Sequence, residues 1–198
     1  MTRIGVDGKM TTIIDILREE HRNIEKVLLV LEQELDVFDR REQPDYEVLQ
    51  AVIGYFQDYP ERCHHPKEDM VFAKLKARDP VAAESVGDLV AEHQEETKRL
   101  QRLAQAIESV LAGREMLRTS FDAIARNFIE HERSHIDMEE RALFPAAVKA
   151  LRPEDWAGID ARLNDKQDPL ANEIIEEKFR FLHQRILQWE EQDAAERA

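Results

Sequence analysis

His64-His65-Pro66-Lys67-Glu68-Asp69-Met70-Val71-Phe72 sets the reading of this chain, because its His/Glu spacing returns at His135-Ile136-Asp137-Met138-Glu139. In both places a histidine precedes a glutamate by four residues. An α-helix puts positions i and i+4 one above the other on a single face. A solitary histidine stands upstream of each pair, His21 before the first and His93 before the second. If the four segments are helices around a common core, four imidazoles and two carboxylates converge. That set suits two metal ions.

The surrounding periodicity predicts those helices. The first, 12–38, carries Ile14, Leu17, His21, Ile24, Leu28, Leu31 and Leu35 on one stripe. The second starts at Asp45 or Gln43-Pro44 and runs to about Lys76, with Val48, Val52, Phe56, His64, Glu68, Phe72 and Leu75 inward. Pro60 and Pro66 predict a kink near His64, since proline removes a helical donor and clashes with the preceding turn. A third helix is expected from Asp79-Pro80 to Ala112-Gly113, carrying Val86, Leu89, Val90, His93, Leu100, Ala104, Ile107 and Leu111. The fourth holds Leu117, Phe121, Ile124, Phe128, His131, His135, Glu139, Ala142 and Leu143, and bends or ends near Pro145. No segment alternates with period two over a useful length, so strands are not expected. Long helices with short turns predict an all-α, up-down-up-down four-helix bundle over 12–150. Residues 151–198 read as a C-terminal helical extension, with a short helix from Pro153 and a further stripe of Ile175, Phe179, Leu182, Ile186 and Trp189. Trp156 and Trp189 are expected to anchor it. The extension packs on the bundle or makes a homodimer.

Composition narrows the function classes. A net charge of −14 with 35% charged residues argues against nucleic acid, whose phosphates require clustered Lys and Arg. It equally disfavours anionic membrane surfaces. The single Cys63 excludes an internal disulfide framework and a cysteine-rich metal site. With neither a signal peptide nor a membrane-length apolar run, the expectation is a cytoplasmic protein.

One histidine on an apolar face is usually a satisfied core residue. Four such histidines, two matched to an inward glutamate one turn later, are different, because a buried carboxylate is costly unless paired or bound to metal. His65 and Asp69 share the same spacing, but helical phase turns them about 100° or more from the stripe. His65 is therefore expected to be exposed or to hydrogen-bond a ligand. Glu61-x-x-His64 and Glu132-x-x-His135 match the Glu-x-x-His of ferritin-like di-iron proteins. Those proteins place glutamates on the other two helices, where this chain has His21 and His93. Glu19, Glu20, Glu92 and Glu95 lie off the stripes, and Glu61 and Glu132 are expected at the edge or behind the ligands. Cys63 is expected to be a packing thiol, and His183 to lie at the edge of a packing surface on the tail.

With His21, HHPKEDMVF at 64–72, EH at 92–93 and HIDMEERALFP at 135–145, the chain resembles the hemerythrin-like (HHE cation-binding) family over roughly 12–150. The resemblance implies a four-helix bundle around two Fe ions bridged by an oxo or hydroxo group. By position, His21 and His64 would bind one iron and His93 and His135 the other. Glu68 and Glu139 would bridge them. Imidazole and carboxylate suit iron, and also zinc or manganese. Oxygen-carrying members have a second histidine one turn after the helix-three histidine, where this chain has Thr97, and a five-residue His-to-Asp spacing on the last helix. His131 lies level with the missing histidine and is expected to ligate metal or hydrogen-bond a bound diatomic; Tyr59 is a weaker candidate. The implied functions are sensing, storage or scavenging of O2 or NO. The alternatives are an oxidoreductase consuming peroxide or NO, or an iron donor for Fe–S cluster repair. The repair branch carries an extra N-terminal segment with a Cys pair, whereas this chain opens almost directly on its first helix, so that role ranks lower.

Overall fold

A computed structural model describes residues 13–114, 117–166 and Gln188, with side chains through 162 and at Gln188. The described residues form α1 (Ile13–Asp39), α2 (Tyr46–Tyr59), α3 (His65–Arg78), α4 (Pro80–Val86), α5 (Leu89–Leu111), α6 (Arg118–Met138), α7 (Phe144–Ala150) and α8 (Pro153–Lys166). A π-helical turn, π1 (Pro60–His64), joins α2 to α3, and a second, π2 (Glu139–Leu143), joins α6 to α7. No strand occurs among the described residues. None of their helices is long and apolar enough to cross a membrane.

The helix ends follow from local chemistry. Asp45 accepts hydrogen bonds from the Glu47 and Val48 amides and starts α2, satisfying donors that have no partner within a helix's first turn. Asp79 does the same for α4 through the Ala82 amide, with Pro80 in the first turn. The third predicted helix is not continuous. Gly87 adopts φ 98°, a left-handed backbone that favours glycine, and Asp88 caps a new helix, α5. At the other end of α5, Gly113 adopts φ 66° just past the C-cap, a common helix stop. Val90, Leu111 and Leu117, expected on inward stripes, are exposed. Each lies within the first or last turn of a helix or just outside it, where the packed faces diverge.

Both π turns end two residues before a proline, Pro66 and Pro145. Proline offers no N–H to the carbonyl four residues back and its ring crowds that carbonyl. The ladder widens by one residue instead: the His65 amide donates to Pro60 O, and the Phe144 amide to Glu139 O. Such single-turn π-bulges often occur at functional sites.

The helical rods close into a ring, α1 against α2 and α6, and α5 against α2 and α6. Contacts between α1 and α6 pair late residues with early ones: Phe38 meets Phe121 (centroids 5.0 Å apart) and Arg133 forks onto Glu25 and Glu32. Two apolar clusters fill the interior. One is built on Leu28, Leu31, Val52, Phe56, Leu103 and Phe128. The other is built on Leu17, Val71, Leu75, Leu89, Leu143 and Phe144. Between them lies a belt of buried histidines and glutamates. In the extension, Ile159 and Trp156 join the second cluster and Arg78 holds the Asp155 carboxylate at 2.7 and 3.1 Å. The stripe from Ile175 to Trp189, His183 included, lies outside the described residues.

Candidate metal centre

α1 delivers His21, π1 and α3 deliver His64 and Glu68, α5 delivers His93, and α6 and π2 deliver His135 and Glu139. All six side chains are buried, the two glutamates completely. Their ligand atoms form two sets that share both carboxylates: His21, His64, Glu68 and Glu139, and Glu68, His93, His135 and Glu139, each set lying within 4.8 Å. The carboxylates are divided atom by atom. Glu68 Oε1 is 3.3 Å from His21 Nε2 and 2.9 Å from His64 Nε2, while Glu68 Oε2 is 3.5 Å from His93 Nε2. Glu139 Oε2 is 3.3 Å from His21 Nε2, and its Oε1 is 3.4 Å from His135 Nε2.

The donor set fits bound metal. Glu68 Oε2, both oxygens of Glu139, His93 Nε2 and both ring nitrogens of His135 are buried without a hydrogen-bond partner. Each such orphan ordinarily costs about 1–3 kcal/mol. Two cations, one in each set, would satisfy the orphaned Glu68 and Glu139 oxygens and both Nε2 atoms. On the outer side, His64 Nδ1 lies 2.9 Å from Glu20 and His21 Nδ1 lies 3.1 Å from Glu140. Carboxylates in that position fix a ligand histidine's tautomer and ring orientation. Lys67 donates to Glu20 in turn.

Burial and charge drive the protonation states apart. Burial alone would raise Glu68, but the charge of His64 and the close approach of the His21, His64 and His93 rings hold it well below the usual carboxylate range. Glu139 goes the other way, raised by burial and then by the charge of Glu68. Burial would lower His64, yet Glu68 and then Glu20 lift it to about 9. His135 is lowered to about 4, chiefly by burial.

Three expectations change. His65 is buried, not exposed, and its Nε2 lies 3.3 Å from Glu96 Oε2; the π1 turn shifts the helical phase so that His64 and His65 both face inward. Glu20, read as off the stripe, is buried and supports His64. Of the two places expected for Glu132, at the edge or behind the ligands, the edge is ruled out: it is buried, with its carboxyl raised by burial and then by Glu96. Glu61 is exposed, accepting from Thr97 Oγ1 at 3.0 Å. His131 lies one turn before His135, half-buried with Nε2 unpartnered, and belongs to neither set. Tyr59 stacks on Tyr55 at 5.2 Å. Burial and then Glu20 push its phenol up, and it belongs to neither ligand set. Cys63 is half-buried with its thiol pushed up by burial, as suits a packing residue.

Glu96 is the residue that the sequence reading passed over. It is buried and held down to about 2, where pairing with His65 and its charge outweigh burial. The signal was present: Glu96 follows His93 by three residues and precedes Leu100 by four, so it shares their face.

No curated protein and no solved structure matches the chain. The model of the hemerythrin HHE cation-binding domain matches residues 12–147, a span that includes every residue of the two ligand sets, and the chain belongs to that family.

Proposed function

We propose that the chain is a di-iron protein of up-down-up-down bundle form that binds a small diatomic, O2 or NO, for sensing, storage or scavenging. One observation carries the reading: two His/His/Glu/Glu sets share both carboxylates, each carboxylate turning one oxygen to each set. His21 and His64 would hold one ion, His93 and His135 the other, and Glu68 and Glu139 both. Zinc and manganese suit the same donors; the family favours iron. Bound iron would supply reversible redox chemistry and an open position for the diatomic. The chain's own residues exclude water through the apolar clusters on either side and orient His64 and His21 through Glu20 and Glu140. A second reading, consumption of peroxide or NO, draws support from Glu132, a buried carboxyl with a raised pKa one turn before His135 and so a candidate proton donor.

Metal analysis joined to visible spectra of the reduced protein before and after O2, NO and peroxide tests this. A reversible spectral change without turnover is expected. Sustained loss of peroxide or NO moves the assignment to the oxidoreductase. A colourless protein that stays metal-free in Fe(II) sinks both.

Ligation requires Glu139 ionised and His64 neutral. Both are shifted toward their protonated forms in the metal-free chain, so metal binding is expected to release protons. Affinity then rises with pH and levels off once pH exceeds about 9, where free His64 has lost its proton. Calorimetry in buffers of different ionisation enthalpy reads the release; heats independent of buffer would contradict it.

A further inference from the structure

A third group of ligand atoms lies beside the paired sets and shares only His93 with them: His65, His93 and Glu96, within 4.8 Å of one another. His65 and Glu96 are each 6% exposed. Their facing atoms, Nε2 and Oε2, are 3.3 Å apart, yet Glu96 Oε2 makes no hydrogen bond. The same oxygen is 4.0 Å from His135 Nε2, a ligand atom of the second set. The His65 and His93 rings stack at 3.9 Å, 11° from parallel, so two imidazoles stand side by side near an unsatisfied carboxylate oxygen. Burying a histidine and a carboxylate whose pairing falls short of a well-aligned hydrogen bond is unfavourable; a cation between them relieves it.

This group lies beside an opening. A surface cleft of about 200 Å³ is lined by Glu61, His65, Asp69, His93 and Thr97 among others. Glu61 and Asp69 are exposed, and Asp69 Oδ1 comes within 3.7 Å of His93 Nδ1. The six ligands of the paired sets are sealed in the belt, and of these only His93 also lines the cleft.

We infer that His65, Glu96 and His93 form a transit site for a borderline divalent cation such as Fe(II), through which ions entering by the cleft reach the paired centre. The inference rests on the paired-centre reading given above. Two imidazoles and one carboxylate select cations of that class over calcium or magnesium, which prefer all-oxygen sites. Transit rather than residence follows from two features. The site offers one carboxylate where each paired set offers two, so the paired sets hold a cation more strongly. It also shares His93 with the second set, so an ion that moves on into that set takes His93 with it and leaves the transit site with too few ligands to hold a resident ion.

Stopped-flow absorbance of Co(II) uptake by the metal-free full-length chain tests the inference, with wild type, Glu96→Gln, His65→Gln and the cleft-lining control Gln94→Ala. Circular dichroism checks folding, and the two substitutions provide independent tests should one misfold. The expected result is an unchanged end point of two Co(II) per chain with uptake slowed about tenfold or more in Glu96→Gln and His65→Gln, and unaltered in Gln94→Ala. Uptake at the wild-type rate in both variants overturns the transit site. A lowered end point in either overturns it too, making that residue a resident ligand. If wild type itself takes up no Co(II), the paired-centre reading fails first.

Discussion

Glu68→Gln is expected to empty both halves of the centre at once. Glu68 is fully buried and gives one oxygen toward His21 and His64 and the other toward His93. An amide keeps the shape but loses the charge, and turns an NH2 toward one of the two cations. Losing even a supporting partner typically costs 10–100-fold in metal affinity, so a shared ligand should cost about 100-fold or more at each ion. Metal content after desalting, wild type against variant, reads the effect; two ions retained per chain would refute it. The substitution also acts on the metal-free chain. His64 is raised from 6.5 to about 9, with Glu68 the foremost cause acting upward. A raised histidine contributes stability that is fully present below its unfolded pKa and is lost as pH rises through its folded pKa. Wild type should therefore lose stability between pH 6.5 and about 9, and Glu68→Gln should flatten that decline in urea melts taken across the window.

The second large effect is thermal. A ligand that binds only the folded chain stabilises by about 4 kcal/mol at a thousandfold excess over its dissociation constant. A chain of about this size gains roughly 2–4 °C in melting temperature per kcal/mol. One tightly bound ion is thus worth on the order of 10 °C, and a pair more. The buried, unpartnered atoms of Glu68, Glu139, His93 and His135 point the same way, since the metal-free fold carries their desolvation uncompensated. Melts followed by circular dichroism with Fe(II) under anaerobic conditions, then with excess chelator, should show a rise that the chelator reverses. A melting temperature indifferent to both would mean the belt holds no metal.

The sequence was most legible where one period governs a whole helix. Leu17, His21, Ile24, Leu28, Leu31 and Leu35 recur at helical spacing and all are buried on α1. The six residues of the paired sets were legible for the same reason. What escaped was the width of the stripe. α1 buries neighbouring positions together, Ile13 with Ile14, Glu20 with His21, Val27 with Leu28 and Glu34 with Leu35. A helix flanked by partners on two sides covers more than a narrow seam. Glu20 falls in that extra width. Glu96 and Glu132 instead lie at helical spacing from stripe residues, Glu96 between His93 and Leu100 and Glu132 between Phe128 and His135, and were passed over because a carboxylate is not read as a core residue. His65 escaped for another reason: its position assumes an unbroken 3.6-residue period, and π1 adds a residue just before it. Pro66 announced a disturbance, but whether a proline kinks a helix, ends it or widens one turn depends on what surrounds it. The break at Gly87 was hidden because α4 and α5 are both amphipathic and a single glycine is tolerated within a helix.

The belt between the two apolar clusters has a consequence for how the protein comes apart. Each cluster has its own helices' ends to hold: α2 with the later part of α5 on one side, α3, α4, α7 and α8 on the other. Buried polar side chains that are only partly paired transmit less cohesion across the plane they occupy than apolar packing does, so the metal-free chain is expected to open as two units sharing α1, α5 and α6 as continuous rods. Ions spanning that plane would fasten four rods at one level and merge the units, making the metal as much a determinant of folding cooperativity as of chemistry.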